Sequence, residues 1–241
     1  MRKILFFSLL VLPLCVKSQK SGIVNYIISF GQIKLKDTAT LYFNGMKSLF
    51  ITNIGLNNSF VYSISDSMNL QRNGKLINTI PSPSHVFTDF DKKELITEND
   101  LVITCYTIEK PKQIVWNITP ESKKISGYKC QKATGRFRGR DYIAWFTRDI
   151  PSECGPWKFN GLPGLILEVV EKNSHVHILF QSFSTPYTLG IPRIESNNYL
   201  SIPQYLEKFK LEVLKSMPDH PLLHIPSVKA TIEIPLFTEL E

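Results

Sequence analysis

Several signatures of common catalytic and nucleotide-binding sites are missing from this sequence. It has no Gly-x-Ser-x-Gly turn that would present a nucleophilic serine, and no glycine-rich loop that would hold a phosphate. It also has no internal repeat, no low-complexity tract and no linker long enough to separate two domains. These absences disfavour a serine hydrolase and a nucleotide-binding enzyme, and they make one domain over residues 19–241 the simplest organisation.

Apolar runs of membrane-spanning length are missing as well. Residues 4–16 form the longest apolar run of the amino-terminal region, behind Arg2 and Lys3, but a bilayer span takes about 20 residues. The pattern predicts a secretory signal peptide over residues 1–18 and no transmembrane segment in the mature chain. We therefore expect export to the periplasm, the outer-membrane periphery or the cell exterior. Lipidation at Cys15 is the alternative, although Leu14 is bulkier than the usual neighbour of a lipid-modified cysteine.

Positive charge is present but not concentrated. The formal net charge is +7, and it falls to +4, with 25 basic against 21 acidic residues, when residues 1–18 are removed. Without a basic stripe we expect no nucleic-acid partner. One predicted hairpin is nevertheless surrounded by basic side chains that could meet an acidic partner or lipid phosphates. These are Lys129, Lys132, Arg136, Arg138, Arg140 and Arg148.

Cysteine and histidine are too few for a recognisable metal or redox motif. Three cysteines remain after residue 18, and Cys130 with Cys154 is the predicted disulfide, because Cys105 is expected two strands away from Cys130. His175 and His177 lie on one face of a predicted strand and could form half of a metal site, but no third histidine, cysteine or carboxylate lies at a spacing that would complete it. We predict no metal, no cofactor and no catalytic residue. A hydrolase that uses Cys154 or these histidines is the alternative function.

What the sequence does have is a succession of β-strand patterns. Residues 22–30 predict a first strand, and Asn44-Gly45 predicts a hairpin turn, as does Asn73-Gly74. Residues 66–99 are mostly polar and predict loops, with a short strand at residues 86–90. Residues 101–150 predict an antiparallel meander of about four strands.

The remaining patterns complete a mainly β fold. Residues 165–180 predict a hairpin whose first strand is apolar on both faces and therefore lies inside the sheet. Residues 202–215 carry the one convincing helix pattern, with an apolar stripe at Tyr205, Phe209 and Val213. Residues 228–241 predict a last strand at an edge. The predicted fold is a curved, half-barrel-like antiparallel sheet with one carboxyl-terminal helix packed on it.

The segment CGPWKFNGLPGLILEVV, residues 154–170, is the most unusual part of the chain. Gly161, Pro163 and Gly164 are predicted to form a structural turn of type II, with proline second and glycine third. The alternative is that this turn borders an apolar pocket. The candidate binding residues would then be Trp116, Trp145, Trp157, Phe159, Leu162 and Pro163.

These motifs together resemble the GLPGLI family, whose members are exported proteins of certain Gram-negative bacteria. The residues that carry the resemblance are Trp116, ISGYKCQKA at 125–133, Gly139-Arg140, AWFT at 144–147, Ile150-Pro151, Gly155-Pro156 and GLPGLI at 161–166. The resemblance implies export and a single domain, but no established activity and no catalytic residues. A weaker likeness to lipoprotein carriers implies a curved sheet that holds an apolar ligand.

The function predicted from the sequence is therefore non-enzymatic binding in the cell envelope. The ligand would be an apolar, lipid-like molecule or a periplasmic or outer-membrane protein. The main support is the aromatic-rich meander together with the absence of a complete catalytic set.

Overall fold

The structure is a computed structural model that describes residues 21–30, 35–52, 82–100, 104–173 and 176–216. Several sequence predictions lie outside these ranges. They are the signal peptide, the Asn73-Gly74 turn, His175 and the closing strand of residues 228–241.

The described residues form a single open sheet of twelve strands, so the mainly β prediction is confirmed. The strands in chain order are β1 Gly22–Phe30, β2 Leu35–Asn44, β3 Lys47–Thr52, β4 Ser82–Asp89, β5 Glu94–Asp100, β6 Thr104–Glu109, β7 Trp116–Ile125, β8 Tyr128–Phe137, β9 Arg140–Thr147, β10 Leu165–Glu171, β11 Val176–Ser184 and β12 Tyr199–Leu200. Their order across the sheet is β12-β6-β5-β4-β3-β2-β1-β11-β10-β9-β8-β7. Neighbouring strands are antiparallel, except that β12 runs parallel to β6.

The strands predicted with the strongest patterns are confirmed. β1 matches the predicted first strand, and alternate residues Val24, Tyr26 and Ile28 are fully buried. β2 and β3 form the predicted hairpin, although its two-residue loop is Gly45-Met46, one residue later than expected. β10 lies between β9 and β11 and is buried along most of its length, as its two apolar faces predicted.

The short strand predicted at residues 86–90 is confirmed as part of β4, but the polar loops predicted around it are wrong where β5 lies. β4 and β5 form a hairpin, and β5 pairs with β6 on its other side. Leu95 and Ile96 are at most 2% exposed. Leu95 and Ile96 are adjacent and therefore point to opposite faces of the sheet, so both faces of β5 are covered at this point, although Glu94 and Glu98 are only partly buried.

The predicted pairing of β6 with β7 is also wrong. β6 lies between β5 and β12, while β7 ends the sheet order at the opposite side. The carboxylate of Glu109, at the end of β6, contacts Arg138 at 2.6 Å and Lys158 at 3.0 Å, and these belong to the part of the chain around β8 and β9. This buried cluster joins the two distant ends of the strand order, which requires a strongly curved sheet.

Residues 148–164 form a loop that contributes to the main hydrophobic core. Trp157, Phe159 and Leu162 are at most 5% exposed and belong to the same buried cluster as Phe50 and Phe146. The rings of Trp157 and Phe159 lie 5.4 Å apart. The protein therefore fills this part of its core with its own aromatic side chains.

The predicted helix is confirmed as α1, Ile202–Ser216. Both the backbone N–H and the hydroxyl of Ser201 donate to the side-chain oxygen of Gln204, at 2.9 and 2.8 Å, which caps the first turn. The helix contacts β6 and β12, so it packs at one edge of the sheet, and Tyr205 is the residue of its predicted stripe whose burial is described, at 2% exposed. No helix in the described ranges is both long enough and apolar enough to cross a membrane.

Candidate binding cleft

An open cleft of about 340 Å³ lies where β7, β8 and the end of β9 meet. Its wall and floor combine polar side chains with one buried aromatic ring. The lining residues are Pro120, Ser122, Lys129, Cys130, Gln131, Phe146, Arg148 and Asp149. This volume is at the lower end of the range for small-molecule sites, which begins at about 300 Å³.

A β-bulge forms one wall of the cleft. Ile118 of β7 pairs with Ala133, but Ser122 pairs with Gln131, so β7 carries two more residues than β8 over this stretch. The Gln131 side-chain amide donates to the carbonyl of Thr119 at 3.0 Å and fixes the bulge. Pro120 suits this position because it has no N–H to offer to a regular ladder. The bulge turns Pro120 and Ser122 towards the cleft, as bulges beside binding sites often do.

Three cations of the basic group, Lys129, Arg140 and Arg148, have no ion-pair partner among the described residues, and two of these three line the cleft. Elsewhere in that group Lys132 pairs with Glu121 at 2.8 Å, Arg136 with Asp141 at 3.9 Å and Arg138 with Glu109 at 2.6 Å. Lys129 and Arg148 line the cleft instead and are exposed. Asp149 is the one carboxylate of the lining, so the cleft has a net positive charge of one.

Phe146 supplies the apolar floor. It is fully buried, and its ring centroid lies 5.9 Å from the guanidinium carbon of Arg148. This distance is near the outer limit for a cation–π contact. The ring therefore supports the Arg148 guanidinium while leaving its donors available to a ligand.

A polar network lies beside the cleft and includes one of the predicted histidines. His177 Nε2 lies 2.9 Å from Glu168 Oε1, and the other carboxylate oxygen of Glu168 contacts Lys123. Lys123 in turn lies over the ring of Trp145, 4.4 Å from its centroid. Burial alone would raise the pKa of Glu168, but the hydrogen bonds from His177 and Lys123 lower that pKa below its usual value. The Glu168 carboxylate therefore accepts from both His177 and Lys123.

The two cysteines of the predicted disulfide are free thiols, so that prediction is wrong. Cys130 lies on β8, whereas Cys154 lies in the loop of residues 148–164, where its backbone pairs with that of Asn160 as an isolated antiparallel β-bridge. Burial raises the pKa of each thiol to about 11. At neutral pH both are un-ionised, which gives Cys154 little nucleophilic character. Among the described residues, no three His, Cys, Asp or Glu side chains come together as metal ligands.

The predicted binding residues do not surround one pocket. Trp157, Phe159 and Leu162 are buried in the core, and Pro163 is exposed in the turn. Trp116 is half-buried, and its indole N–H donates to the carbonyl of Asn160 at 2.8 Å. The half-buried Trp145 belongs to the network beside the cleft.

The glycine-proline turn is present but differs in type from the prediction. The N–H of Gly164 donates to the carbonyl of Leu162 at 2.8 Å, and the N–H of Leu165 donates to Ile150 at 3.0 Å. The first bond closes a three-residue turn around Pro163, and the second replaces the bond that a type II turn would make. Gly161 has a φ of 85°, which favours glycine.

Sequence reasoning recognised the basic group but missed the cleft. The signals available were Pro120 inside a strand pattern and the acidic residues at Glu109, Glu121 and Asp141. The first indicates a bulge. Which acid pairs with which base depends on strand order, and that order was predicted incorrectly for β6.

Comparison with known proteins gives a family match over part of the chain. A family model described as "Protein of unknown function (Porph_ging)" matches residues 138–168, which include the motif at 161–166. No curated protein matches the chain.

Two solved structures of PNGF-II resemble the fold. One, in space group C2, has a TM-score of 0.50 and 17% identity, and the match covers 71% of this chain and 28% of that one. The other, in space group P21, has a TM-score of 0.53 and 17% identity, and covers 79% of this chain and 33% of that one. The chain thus spans about a third of the PNGF-II chain or less, and at this identity the likeness concerns the fold alone.

Proposed function

We propose that this is an exported, non-enzymatic protein of the cell envelope that binds an anionic group of a protein partner in the cleft beside β7. The observation that carries the proposal is the position of Lys129 and Arg148. These two cations have no ion-pair partner among the described residues and line the same cleft, whereas Lys132, Arg136 and Arg138 are paired and Arg140, although it has no ion pair there, does not line the cleft. The signal-peptide pattern of residues 1–18 supports export.

A carboxylate or phosphate group suits the chemistry of the cleft. Arg148 offers a planar set of donors and Lys129 a mobile ammonium group, and both residue types bind such anions. Ser122 and Gln131 add neutral polar groups at the wall. The lining therefore offers one anionic group both charge and hydrogen bonds.

The apolar, lipid-like ligand predicted from the sequence has less support than the anionic partner. Three of its six candidate binding residues, Trp157, Phe159 and Leu162, are at most 5% exposed. They contact the core instead of lining a cavity. The hydrolase alternative is also weakly supported, because the Cys154 thiol has a pKa of about 11 and His177 is held by Glu168.

The proposal is tested by titrating the chain from residue 19 onwards with inorganic phosphate and with succinate, at low ionic strength. Residue-resolved NMR shifts should map to the cleft, and calorimetry should give the affinity. A charge-assisted hydrogen bond is worth about 1.5–3 kcal/mol, so Arg148→Gln and Lys129→Gln should each weaken binding by about tenfold or more.

Arg136→Gln is the matched control, because it removes one positive charge from the same hairpin while Arg136 lies outside the cleft. It should leave the affinity nearly unchanged. An equal loss in Arg136→Gln, or shifts spread evenly over the surface, would mean that the anions respond to net charge and that the cleft is not a site.

A further inference from the structure

The outer edge of β7 is a second surface that is suited to binding a partner protein. β7 has ten residues, Trp116–Ile125, and among the described strands it pairs with β8 alone. An unpaired edge presents backbone N–H and C=O groups that can accept another strand. The opposite end of the sheet differs, because β12 has two residues and contacts α1.

Apolar side chains are exposed at the start of this edge. Val115 is 86% exposed and Ile118 is 38% exposed, and they are two of the four large exposed hydrophobic residues in the described ranges. The bulge at Pro120 interrupts regular pairing beyond them. A strand added to β7 would therefore use the stretch before the bulge, residues 115–119, of which residues 116–118 pair regularly with β8.

The surroundings of this edge are basic. Lys112 and Lys124 are exposed and, like Lys129 and Arg148, have no ion pair within the described part of the chain. Glu121 is the acidic residue of β7, and it is bound by Lys132 at 2.8 Å. An acidic segment would therefore be attracted to this edge, because opposite charges on neighbouring strands stabilise their pairing.

We propose that residues 115–119 accept an extended, acidic segment of an envelope protein as an additional strand, and that a carboxylate of this segment enters the cleft. This inference rests on the proposed function and identifies the partner class. An added strand beside β7 would lie two strand spacings, about 10 Å, from β8. Lys129 pairs with Lys124 and not with residues 115–119, so the carboxylate that enters the cleft belongs to a part of the segment that continues past the bulge. The main-chain hydrogen bonds to β7 would supply the affinity, and the contact of the carboxylate with the cleft would supply the specificity.

The test uses a synthetic ten-residue peptide that alternates valine with glutamate. Two derivatives are compared with it, one with glutamine for each glutamate and one with N-methyl groups on alternate amides. Calorimetry should show that the parent peptide binds at least tenfold more tightly than either derivative. Hydrogen exchange should slow within residues 115–119 when the parent peptide binds.

Variants locate the binding surface. Ile118→Glu replaces an apolar side chain of the edge with a negative charge that repels the acidic peptide, and it should weaken peptide binding at least tenfold. Leu189→Glu is the control, because it makes the same change of charge at a residue that is 67% exposed and lies in the connection between β11 and β12. It should have no effect. Thermal unfolding of both variants establishes that each is folded.

The possible failures separate the two proposals. If binding requires Arg148 but is indifferent to N-methylation and to Ile118→Glu, the cleft remains a site and the added strand is wrong. If the amides of residues 115–119 are already protected in the free protein, another part of the chain covers the edge and the added strand is again wrong. If glutamate and glutamine peptides bind equally and Arg148→Gln changes nothing, the anion-binding function itself is wrong.

Discussion

Gly164→Ala should be one of the most destabilising single changes in the turn that follows β9. A Cβ atom at Gly164 would lie 2.0 Å from the carbonyl oxygen of Thr147, 2.7 Å from its carbonyl carbon and 3.1 Å from the Cα of Arg148. Ordinary contacts of a Cβ atom begin at 3.4 Å. All three neighbouring atoms belong to the backbone, so no side-chain rotation can relieve the overlap.

The size of the effect follows from this geometry. The loop and the end of β9 would have to separate by more than 1 Å to restore the 3.4 Å contact from 2.0 Å. Thr147 is fully buried, and overpacking a buried site costs about 1–3 kcal/mol. We expect a loss near the upper end, about 3 kcal/mol. For a chain of this size each kcal/mol lowers the melting temperature by about 2–4 °C, so the fall should be about 6–12 °C.

Gly161→Ala is the matched control. Both glycines have a positive φ, 155° at Gly164 and 85° at Gly161, but a Cβ at Gly161 would meet nothing within 4 Å. It should cost about 1 kcal/mol, the penalty of the left-handed conformation alone. Calorimetric unfolding of the two variants should therefore separate them clearly. An unchanged melting temperature for Gly164→Ala, or an equal fall for Gly161→Ala, would refute the close approach of the loop to β9.

Two further predictions concern buried groups. Glu109→Gln should cost about 3–5 kcal/mol, because it leaves two buried cations without their carboxylate, whereas Glu121→Gln, at an exposed pair, should cost at most about 1 kcal/mol. Burial raises the pKa of Glu109, but Lys158 and Arg138 lower it more strongly, so the net shift is downward. The stabilisation from this carboxylate is therefore present at neutral pH and should be lost as the pH falls below the ordinary value of 4.5. The free energies of unfolding measured in urea at pH 7 and at pH 3 should accordingly differ less for Glu109→Gln than for the unchanged protein. Cys130 and Cys154 have pKa values of about 11, so about one thiol in a thousand is ionised at pH 8. Peptide mapping after iodoacetamide treatment should find both unmodified in the native protein and modified in urea, and rapid native labelling of either would contradict their burial.

Local sequence patterns predicted the parts of the fold that depend on neighbours in the chain. The alternation in β1, the tight turn after Asn44 and the doubly apolar β10 are properties of short segments, and each was confirmed. The helix pattern of residues 202–215 belongs to the same class and was confirmed as α1. Such elements are determined by periodicity and turn chemistry, which a single sequence contains.

The errors arose where distant segments decide the structure. β5 was predicted as a loop because of its charged ends, yet its centre is buried between two other strands. β6 was paired with β7 because they are consecutive, which is the usual arrangement. The attraction of Glu109 to Arg138 and Lys158 accompanies the different order. Neither residue spacing nor composition identifies these partners.

The candidate site could be predicted in composition but not in geometry. Lys129 and Arg148 were predicted only as members of a larger basic group, and in the structure Lys132, Arg136 and Arg138 of that group pair with acids. Which cations remain available depends on the bulge of β7 and on the strand order. Conversely, the aromatic residues of the loop were predicted as binding residues, because the sequence does not reveal that they pack into the main hydrophobic core of the protein.

The GLPGLI motif at residues 161–166 contacts the end of β9 beside the cleft, and this contact leads to a last prediction. β9 ends at Thr147, whose carbonyl oxygen is the atom closest to a Cβ at Gly164, and the next two residues, Arg148 and Asp149, line the cleft. Moving the loop away from β9 must therefore displace the backbone that carries the Arg148 guanidinium. We expect Gly164→Ala to weaken phosphate or succinate binding at a temperature where the variant is fully folded, while Gly161→Ala leaves binding unchanged. Equal affinities in the two folded variants would show that the motif supports the core without positioning the cleft.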